Sequence, residues 1–233
     1  MGIAEEQRAF YGALLERYGD DPRALSHRDQ ATQYERFHRL SRLFAHEPEA
    51  FTVHEVGCGM GHFGEYLQHH HPRAAYSGSD VQPGFVDACQ AKFPAGHFHT
   101  RDIVAALPAE RYDYLTLSGT FNVRLSASPE AWEGFVHGML GAMYALCTRG
   151  FAVNFLTSYH DPAFTQENLH YQPPGALLDF VVGHLSRFWE LDAGGPLYEY
   201  TLRVHRPEAV QARYTDPAFA RYFRAKPQAT GSP

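Results

Sequence analysis

Hydrophobic residues in the first part of the chain recur three or four positions apart, the spacing of one face of a helix. This pattern predicts helices over residues 3–18 and about 28–45, and the turn at Gly19 to Pro22 ends the first of them. Both helices precede the first extended apolar run and are too long to be a simple tail. We therefore predict an N-terminal helical lid over residues 1–48.

From residue 51 onward, short apolar runs alternate with helical patterns, which predicts a mostly parallel sheet with helices on both faces. The predicted strands cover residues 51–56, 75–79, 96–100, 112–117 and 151–156, and the predicted helices 62–67, 83–93, 129–146 and 174–188. Two last apolar runs, 189–192 and 197–205, are joined by a link too short for a parallel crossover, so they form an antiparallel hairpin.

These elements predict an α/β fold with a seven-stranded, mostly parallel sheet and a closing antiparallel hairpin. The core domain spans residues 49–206 in this prediction. Residues 207–233 follow as a short helix, at about 217–224, and a flexible tail.

Composition narrows the functional classes. With 233 residues, 44% hydrophobic and 20% charged, the chain is typical of a globular protein. A net charge of −6 disfavours a nucleic-acid substrate. Three cysteines without close pair spacing, no secretory leader and no long apolar run predict a cytoplasmic protein without a membrane partner, of unknown oligomeric state. The His69–His71 run has no acidic or cysteine partner at ligand spacing, so no metal site is expected.

A glycine-rich stretch, Glu55-Val-Gly57-Cys58-Gly59-Met-Gly61, connects the first predicted strand to a helix. Its glycines permit positive φ angles and close approach of a ligand to the backbone. The N-terminus of the following helix carries free N–H groups and a partial positive charge. The stretch therefore predicts a cradle for a small polar or anionic ligand.

Two registers of this stretch compete. Beginning at Gly59, it matches the dinucleotide fingerprint G-x-G-x-x-G, with Asp80 downstream as a ribose-binding acid. Beginning at Gly57, it resembles motif I of class I S-adenosylmethionine-dependent methyltransferases. The second register leaves the strand 51–56 free of glycine, which strands tolerate poorly, and we favour it for that reason.

The resemblance covers about residues 50–206 and implies a Rossmann-like fold with S-adenosylmethionine as cofactor. In that family the acid after the second strand binds the ribose hydroxyls, and the acid after the third strand meets the adenine. The glycine stretch and the end of the fourth strand surround the methionine part. The cofactor residues implied here are Glu55, Gly57, Cys58, Gly59, Gly61, Asp80, Val81, Asp102, Ile103, Ser118 and Gly119.

The methyl acceptor is expected to be a small molecule, because the proline-containing tetrad of DNA and glutamine methyltransferases is missing after the fourth strand. Methyl transfer is an in-line displacement that depends mainly on alignment. We predict catalytic positions at Asn122, Tyr159 and His160, with His160 as the candidate general base.

In the second N-terminal helix, Gln33 and Arg36 precede Phe37 in a pattern that resembles one in some small methyltransferases. There such residues reach the methionine carboxylate, so both are predicted to contact the cofactor. An NAD-dependent oxidoreductase and a non-catalytic S-adenosylmethionine-binding module remain the alternatives.

Overall fold

The computed structural model describes residues 2–19, 21–25 and 29–223. Its strands are β1 (Phe51–Val56), β2 (Ala74–Asp80), β3 (Phe98–Thr100), β4 (Tyr112–Leu117), β5 (Cys147–Thr157), β6 (Tyr171–Gln172), β7 (Trp189–Asp192) and β8 (Glu199–His205). Its α-helices are α1 (Ile3–Tyr18), α2 (Gln30–Ser41), α3 (His62–His70), α4 (Pro83–Lys92), α5 (Pro129–Leu146), α6 (Pro174–His184) and α7 (Pro207–Gln211). Short 3-10 turns cover Pro22–Leu25, Arg42–Phe44, Pro162–Phe164 and Pro217–Tyr222.

The strands form one eight-stranded sheet in the order β3-β2-β1-β4-β5-β8-β7, with β6 paired to β5. Strands β1 to β6 pair in parallel, and β8 runs antiparallel to both β5 and β7. The predicted α/β fold with its closing hairpin is therefore confirmed. The additional strand β6 is only two residues long and leaves no alternating pattern in the sequence.

Alternation along the central strands divides the core between the two faces of the sheet. On β4, Leu115 and Leu117 belong to the larger apolar cluster, which α5 and α6 cover with side chains such as Trp132 and Leu177. Tyr114 points to the opposite face, where it joins residues of α2 and α3. Helices on both faces bury the sheet, as the sequence pattern predicted.

Two helices of the C-terminal part differ from their predicted form. Helix α6 stops at His184 rather than at residue 188, because Ser186 bonds to the backbone of Phe188 and His205 and turns the chain toward β7. The predicted C-terminal helix is a 3-10 turn, Pro217–Tyr222, and its last predicted residue and the predicted tail lie outside the described residues. Within the described residues, no helix combines the length and the apolar character that a membrane span requires.

A histidine is buried in the central strand β1. The ring of His54 is fully buried, stacks on Tyr112 at 4.2 Å and places its two nitrogens 2.9 and 3.0 Å from the hydroxyls of Ser77 and Ser79. Burial, reinforced by the nearby charge of Arg101, lowers its pKa to about 3. The ring is therefore neutral at neutral pH, with one nitrogen donating and the other accepting.

We expect His54 to make the fold sensitive to acid. The unfolded chain takes up a proton at this histidine near its ordinary pKa, whereas the folded chain does not until about pH 3, so stability falls as the pH drops through that window. Between about pH 7 and pH 4.5 the free energy of unfolding should fall by about 2–3 kcal/mol for this reason.

Urea unfolding at these two pH values measures the effect. In His54→Gln, the fall in the free energy of unfolding between the two pH values should be smaller by about 2–3 kcal/mol. The same substitution at the exposed His69 should leave the wild-type fall unchanged. An equal loss in wild type and His54→Gln would contradict the assignment.

Candidate active site

A pocket opens at the carboxyl ends of β1, β2 and β4, where the strand order reverses on either side of β1. Open parallel sheets bind their ligands at this kind of position. The pocket is lined by Ala4, Gln7, Tyr11, Leu25, Gln33, Phe37, Glu55, Val56, Gly57, Cys58, His62, Phe63, Ser79, Asp80, Val81, Phe85, Arg101, Asp102, Ile103, Ser118, Gly119, Thr120, Phe135 and Met139.

The loop between β1 and α3 depends on its glycines. Gly57, Gly59 and Gly61 have φ angles of 69°, 51° and 74°. Gly61 is the N-cap of α3, and a Cβ atom there would lie 2.7 Å from the ring of Phe93. Gly57 lines the pocket, while Gly59 and Gly61 lie behind it and set the course of the loop.

Asp80 ties the end of β2 to this loop. One carboxylate oxygen accepts the backbone N–H of Gly59 at 3.0 Å, and the other accepts that of Gln82 at 2.9 Å. Burial raises the pKa of Asp80 to about 6 in spite of these bonds. A ligand that donated hydrogen bonds to the carboxylate would stabilise its charged form further.

Glu55 is the second acid on this wall and is only 3% exposed. The hydroxyl of Tyr76 donates to its Oε2 atom at 2.6 Å. Burial nevertheless raises the pKa of Glu55 well above its usual range, with smaller contributions from the neighbouring Cys89 and Asp80. Its side chain is therefore a weak acid that a cationic ligand would ionise.

The ends of β3 and β4 complete the floor. Asp102 forms a turn, since its Oδ1 atom accepts the N–H groups of Val104 at 2.8 Å and Ala105 at 3.2 Å. Ile103 is buried beside it. After β4, the N–H of Gly119 donates to the amide oxygen of Asn154 at 2.8 Å.

Two helices cover the pocket from above. From α1, Gln7 donates to the carbonyl of Thr120 at 3.4 Å, and Arg8 donates to that of Val81 at 2.9 Å, so this helix bridges β4 and β2. From α2, the buried Gln33 lies 3.2 Å from the ring of His62. The sequence predicted α1 as part of a lid, but the contacts of Gln7 and Arg8 were not predicted, although Gln7 shares a helical face with Tyr11 and Leu14.

Most of the residues predicted to bind the cofactor come together in this pocket, but Arg36 does not line it. Its guanidinium is turned toward the start of β8, where Nε lies 3.0 and 2.9 Å from the two carboxylate oxygens of Glu199. The helix pattern placed Arg36 near Gln33 correctly. It carried no information about an acid more than a hundred residues away.

The three predicted catalytic residues also lie outside the pocket lining. His160 stacks on Tyr171, and its ring nitrogens lie near the Thr157 carbonyl and the Thr165 hydroxyl, at 3.0 and 2.9 Å. The side chain of Tyr159 is 79% exposed. Asn122 closes the turn after β4 through its backbone N–H, which donates to the Gly119 carbonyl. The loop after β5 bonds partly to its own residues and partly to the segment after β4, where His170 N–H donates to the Asn122 carbonyl at 2.8 Å.

Within the described residues, no group of three or more His, Cys, Asp or Glu side chains is arranged to hold a metal ion. In the histidine run, His70 stacks on Tyr66 and His71 packs against Phe44. These rings therefore serve as packing groups at the end of α3.

Comparison with known proteins identifies the family of the chain. No protein-family profile matches the sequence. The Mycobacterium tuberculosis protein named "Putative methyltransferase Rv1506c" is 34% identical over 158 residues, which cover 68% of this chain and 95% of that protein. The chain belongs to the class I S-adenosylmethionine-dependent methyltransferases.

Solved structures show the same fold. Magnesium protoporphyrin IX methyltransferase from Synechocystis PCC 6803, with bound S-adenosylmethionine, superposes with a TM-score of 0.61 and 16% identity over 88% of this chain and 98% of that one. The N-methyltransferase NodS from Bradyrhizobium japonicum WM9, in complex with S-adenosylhomocysteine, superposes with a TM-score of 0.60 and 17% sequence identity. The match covers 84% of this chain and 98% of that one. The predicted family, fold class and enzyme class, and the S-adenosylmethionine cofactor of that class, are confirmed.

In this methyltransferase we expect the glycine loop to tolerate no side chain at Gly61. Gly61→Ala forces a left-handed residue and a Cβ contact with Phe93, and should lower the free energy of unfolding by about 1–2 kcal/mol. Gly134 in α5 provides the matched control, because a Cβ atom added there would meet no heavy atom of the described residues within 4 Å.

Alanine at Gly134 should raise the free energy of unfolding by about 0.5–1 kcal/mol through its helix propensity. Chemical unfolding of the two variants measures both changes. A Gly61→Ala variant as stable as wild type would show that the loop backbone has another conformation.

Proposed function

We propose that this methyltransferase acts on a small-molecule acceptor and that the pocket at the ends of β1, β2 and β4 holds S-adenosylmethionine. The observation that carries the proposal is the convergence of the glycine loop with Asp80 and Asp102 on one pocket. The glycine loop, Asp80 and Asp102 lie at the ends of three different strands, β1, β2 and β3. Their convergence provides one surface for a ligand with a ribose, a base and an amino-acid part.

For the adenosyl part, Asp80 is the proposed ribose ligand. Its carboxylate is partly buried beside the glycine loop, lines the pocket and can accept charge-assisted bonds from a cis-diol. The Oδ2 atom of Asp102 would accept from the adenine amino group, because Oδ1 is taken by the turn. Ile103 and Val81 offer apolar contacts to the ring between them.

For the methionine part, the proposed contacts are Glu55, the backbone at Gly57 and Gly119, and the pair Gln33–His62. Glu55 is buried with a raised pKa, so an ammonium group placed near it would be matched by ionisation of the carboxyl. Gln33 from the covering helix α2 and His62 from the start of α3 offer polar atoms to a carboxylate.

The covered pocket also supports the small-molecule acceptor. Helices α1 and α2 contribute Gln7, Tyr11 and Gln33 to the side of the pocket away from the sheet. This is the proposed lid, and it narrows the access that a polymer chain would need on that side. The net charge of −6 likewise offers no general attraction to a phosphate backbone.

Alignment is the main catalytic contribution that we propose, because the sulfonium is already a good leaving group. His160 lies outside the pocket lining, so we assign contact with the acceptor to Tyr11 and His62 instead. Burial raises the pKa of Tyr11, with the nearby charge of Asp80 adding to the effect. Its hydroxyl therefore acts as a hydrogen-bond donor that orients the acceptor, not as a base.

Thermal unfolding with two ligands tests the cofactor assignment. S-adenosylhomocysteine at about a hundred times its Kd should stabilise the protein by about 2.7 kcal/mol, whereas NAD at the same concentration should leave Tm unchanged. Stabilisation by NAD alone would overturn the proposal in favour of an oxidoreductase.

Binding of S-adenosylhomocysteine should also depend on pH through Asp80. The ribose hydroxyls favour the ionised carboxylate, so affinity should rise with pH through about 6, the pKa of the free enzyme. Calorimetry should give a Kd about tenfold weaker at pH 5 than at pH 7.

The variant Asp80→Asn should bind weakly with this part of the pH dependence removed. Asp87→Asn, which changes an exposed carboxylate on α4, is the matched control and should behave as wild type. If Asp80→Asn retained the full pH dependence of S-adenosylhomocysteine binding, a group other than Asp80 would be its cause.

A further inference from the structure

We propose that Arg36, Glu199 and Asn154 form a positioning relay that fixes the Ser118–Gly119 peptide at the cofactor pocket and couples it to helix α2. The inference rests on the proposed function of that pocket. None of the three side chains lines the pocket, so each would act through its neighbour.

The relay is continuous and buried. The side chains of Arg36 and Glu199 are 13% and 8% exposed, and the guanidinium contacts both carboxylate oxygens. The Oε2 atom of Glu199 also accepts from Asn154 Nδ2 at 2.9 Å. Asn154, in the middle of the sheet on β5, then accepts the N–H of Gly119 at 2.8 Å.

The chemistry of the relay fixes its direction. An ionised carboxylate can only accept hydrogen bonds, so Glu199 requires the NH₂ group of Asn154 on its side. The amide oxygen of Asn154 must then face Gly119, whose N–H needs an acceptor. Arg36 pairs with Glu199 and holds its carboxylate in place, because a buried charge is stable only when it is paired.

The orientation of Gly119 N–H has a consequence inside the pocket. A trans peptide is planar, so its N–H and C=O groups point in opposite directions. With Gly119 N–H bonded to Asn154, the carbonyl of Ser118 is directed away from Asn154. Ser118 and Gly119 both line the pocket, and Gly119 has a φ of 77° that other residues seldom adopt. The relay thereby sets the direction of an acceptor for the cofactor's ammonium group.

The same helix carries a second ion pair that serves as a comparison. Arg39, one turn along α2, lies 2.6 Å from Asp192 on β7, with side-chain exposures of 17% and 12%. The other partners of Asp192 in the described residues are Arg42, Arg203 and the N–H of Gly194. None of these lines the pocket, so this pair attaches α2 to the hairpin without reaching the site.

Two matched substitutions separate positioning from mere attachment. Glu199→Gln and Asp192→Asn each replace a buried carboxylate by its amide and should each lower Tm. Only Glu199→Gln should weaken S-adenosylhomocysteine binding, by about 3- to 30-fold in calorimetry well below Tm. Amide hydrogen exchange of residues 117–123 should likewise speed up in Glu199→Gln and not in Asp192→Asn.

The double variant Arg36→Met/Glu199→Met keeps the test open if Glu199→Gln does not fold, because it removes both charges together. It should show the same loss of affinity. Equal Kd values in Glu199→Gln and Asp192→Asn, or a double variant that binds as wild type, would overturn the relay. If wild type itself fails to bind S-adenosylhomocysteine, the proposed function fails instead, and the two failures are thus distinguished.

Discussion

The contact between the carboxylate of Asp80 and the backbone N–H of Gly59 joins two strands that the chain connects only through helix α3. The carboxylate is partly buried, so N–H groups stabilise it, and the glycine loop brings one of them within reach. The loop can do so because Gly57, Gly59 and Gly61 take positive φ angles. The pocket wall and the start of α3 depend on this contact, which continues the pairing of β1 with β2 beyond Val56 and Ser79.

The helices above the pocket are held by polar contacts as well as by apolar packing. Gln7 and Gln33 are almost fully buried, and each bonds to a group at the pocket: the Thr120 carbonyl and the His62 ring. Arg36 pairs with Glu199 at the start of β8. Directional bonds of this kind fix the position of α1 and α2 over the sheet, whereas apolar packing alone would tolerate small shifts.

The meeting of the glycine loop and the strand-end acids at one pocket was predictable because it follows from local rules. Parallel strands bring their carboxyl ends to one edge, so acids such as Asp80 and Asp102 at strand ends converge whatever the details of packing. Long loops follow no such rule. His160 was predicted as a base from its pKa range and its loop, yet its ring stacks on Tyr171 and bonds within that loop.

The sequence by itself determined the alternation of strands and helices, the closing hairpin, and the glycine loop with its two acids, because each is encoded by periodicity or by neighbouring residues. Only the tertiary structure decided the partners of polar side chains far apart in the chain. Arg36 has the same helical environment in the sequence as a cofactor ligand would have. Its pairing with Glu199, and the link through Asn154 to Gly119, arise because α2 packs beside the carboxyl end of β5 and the start of β8.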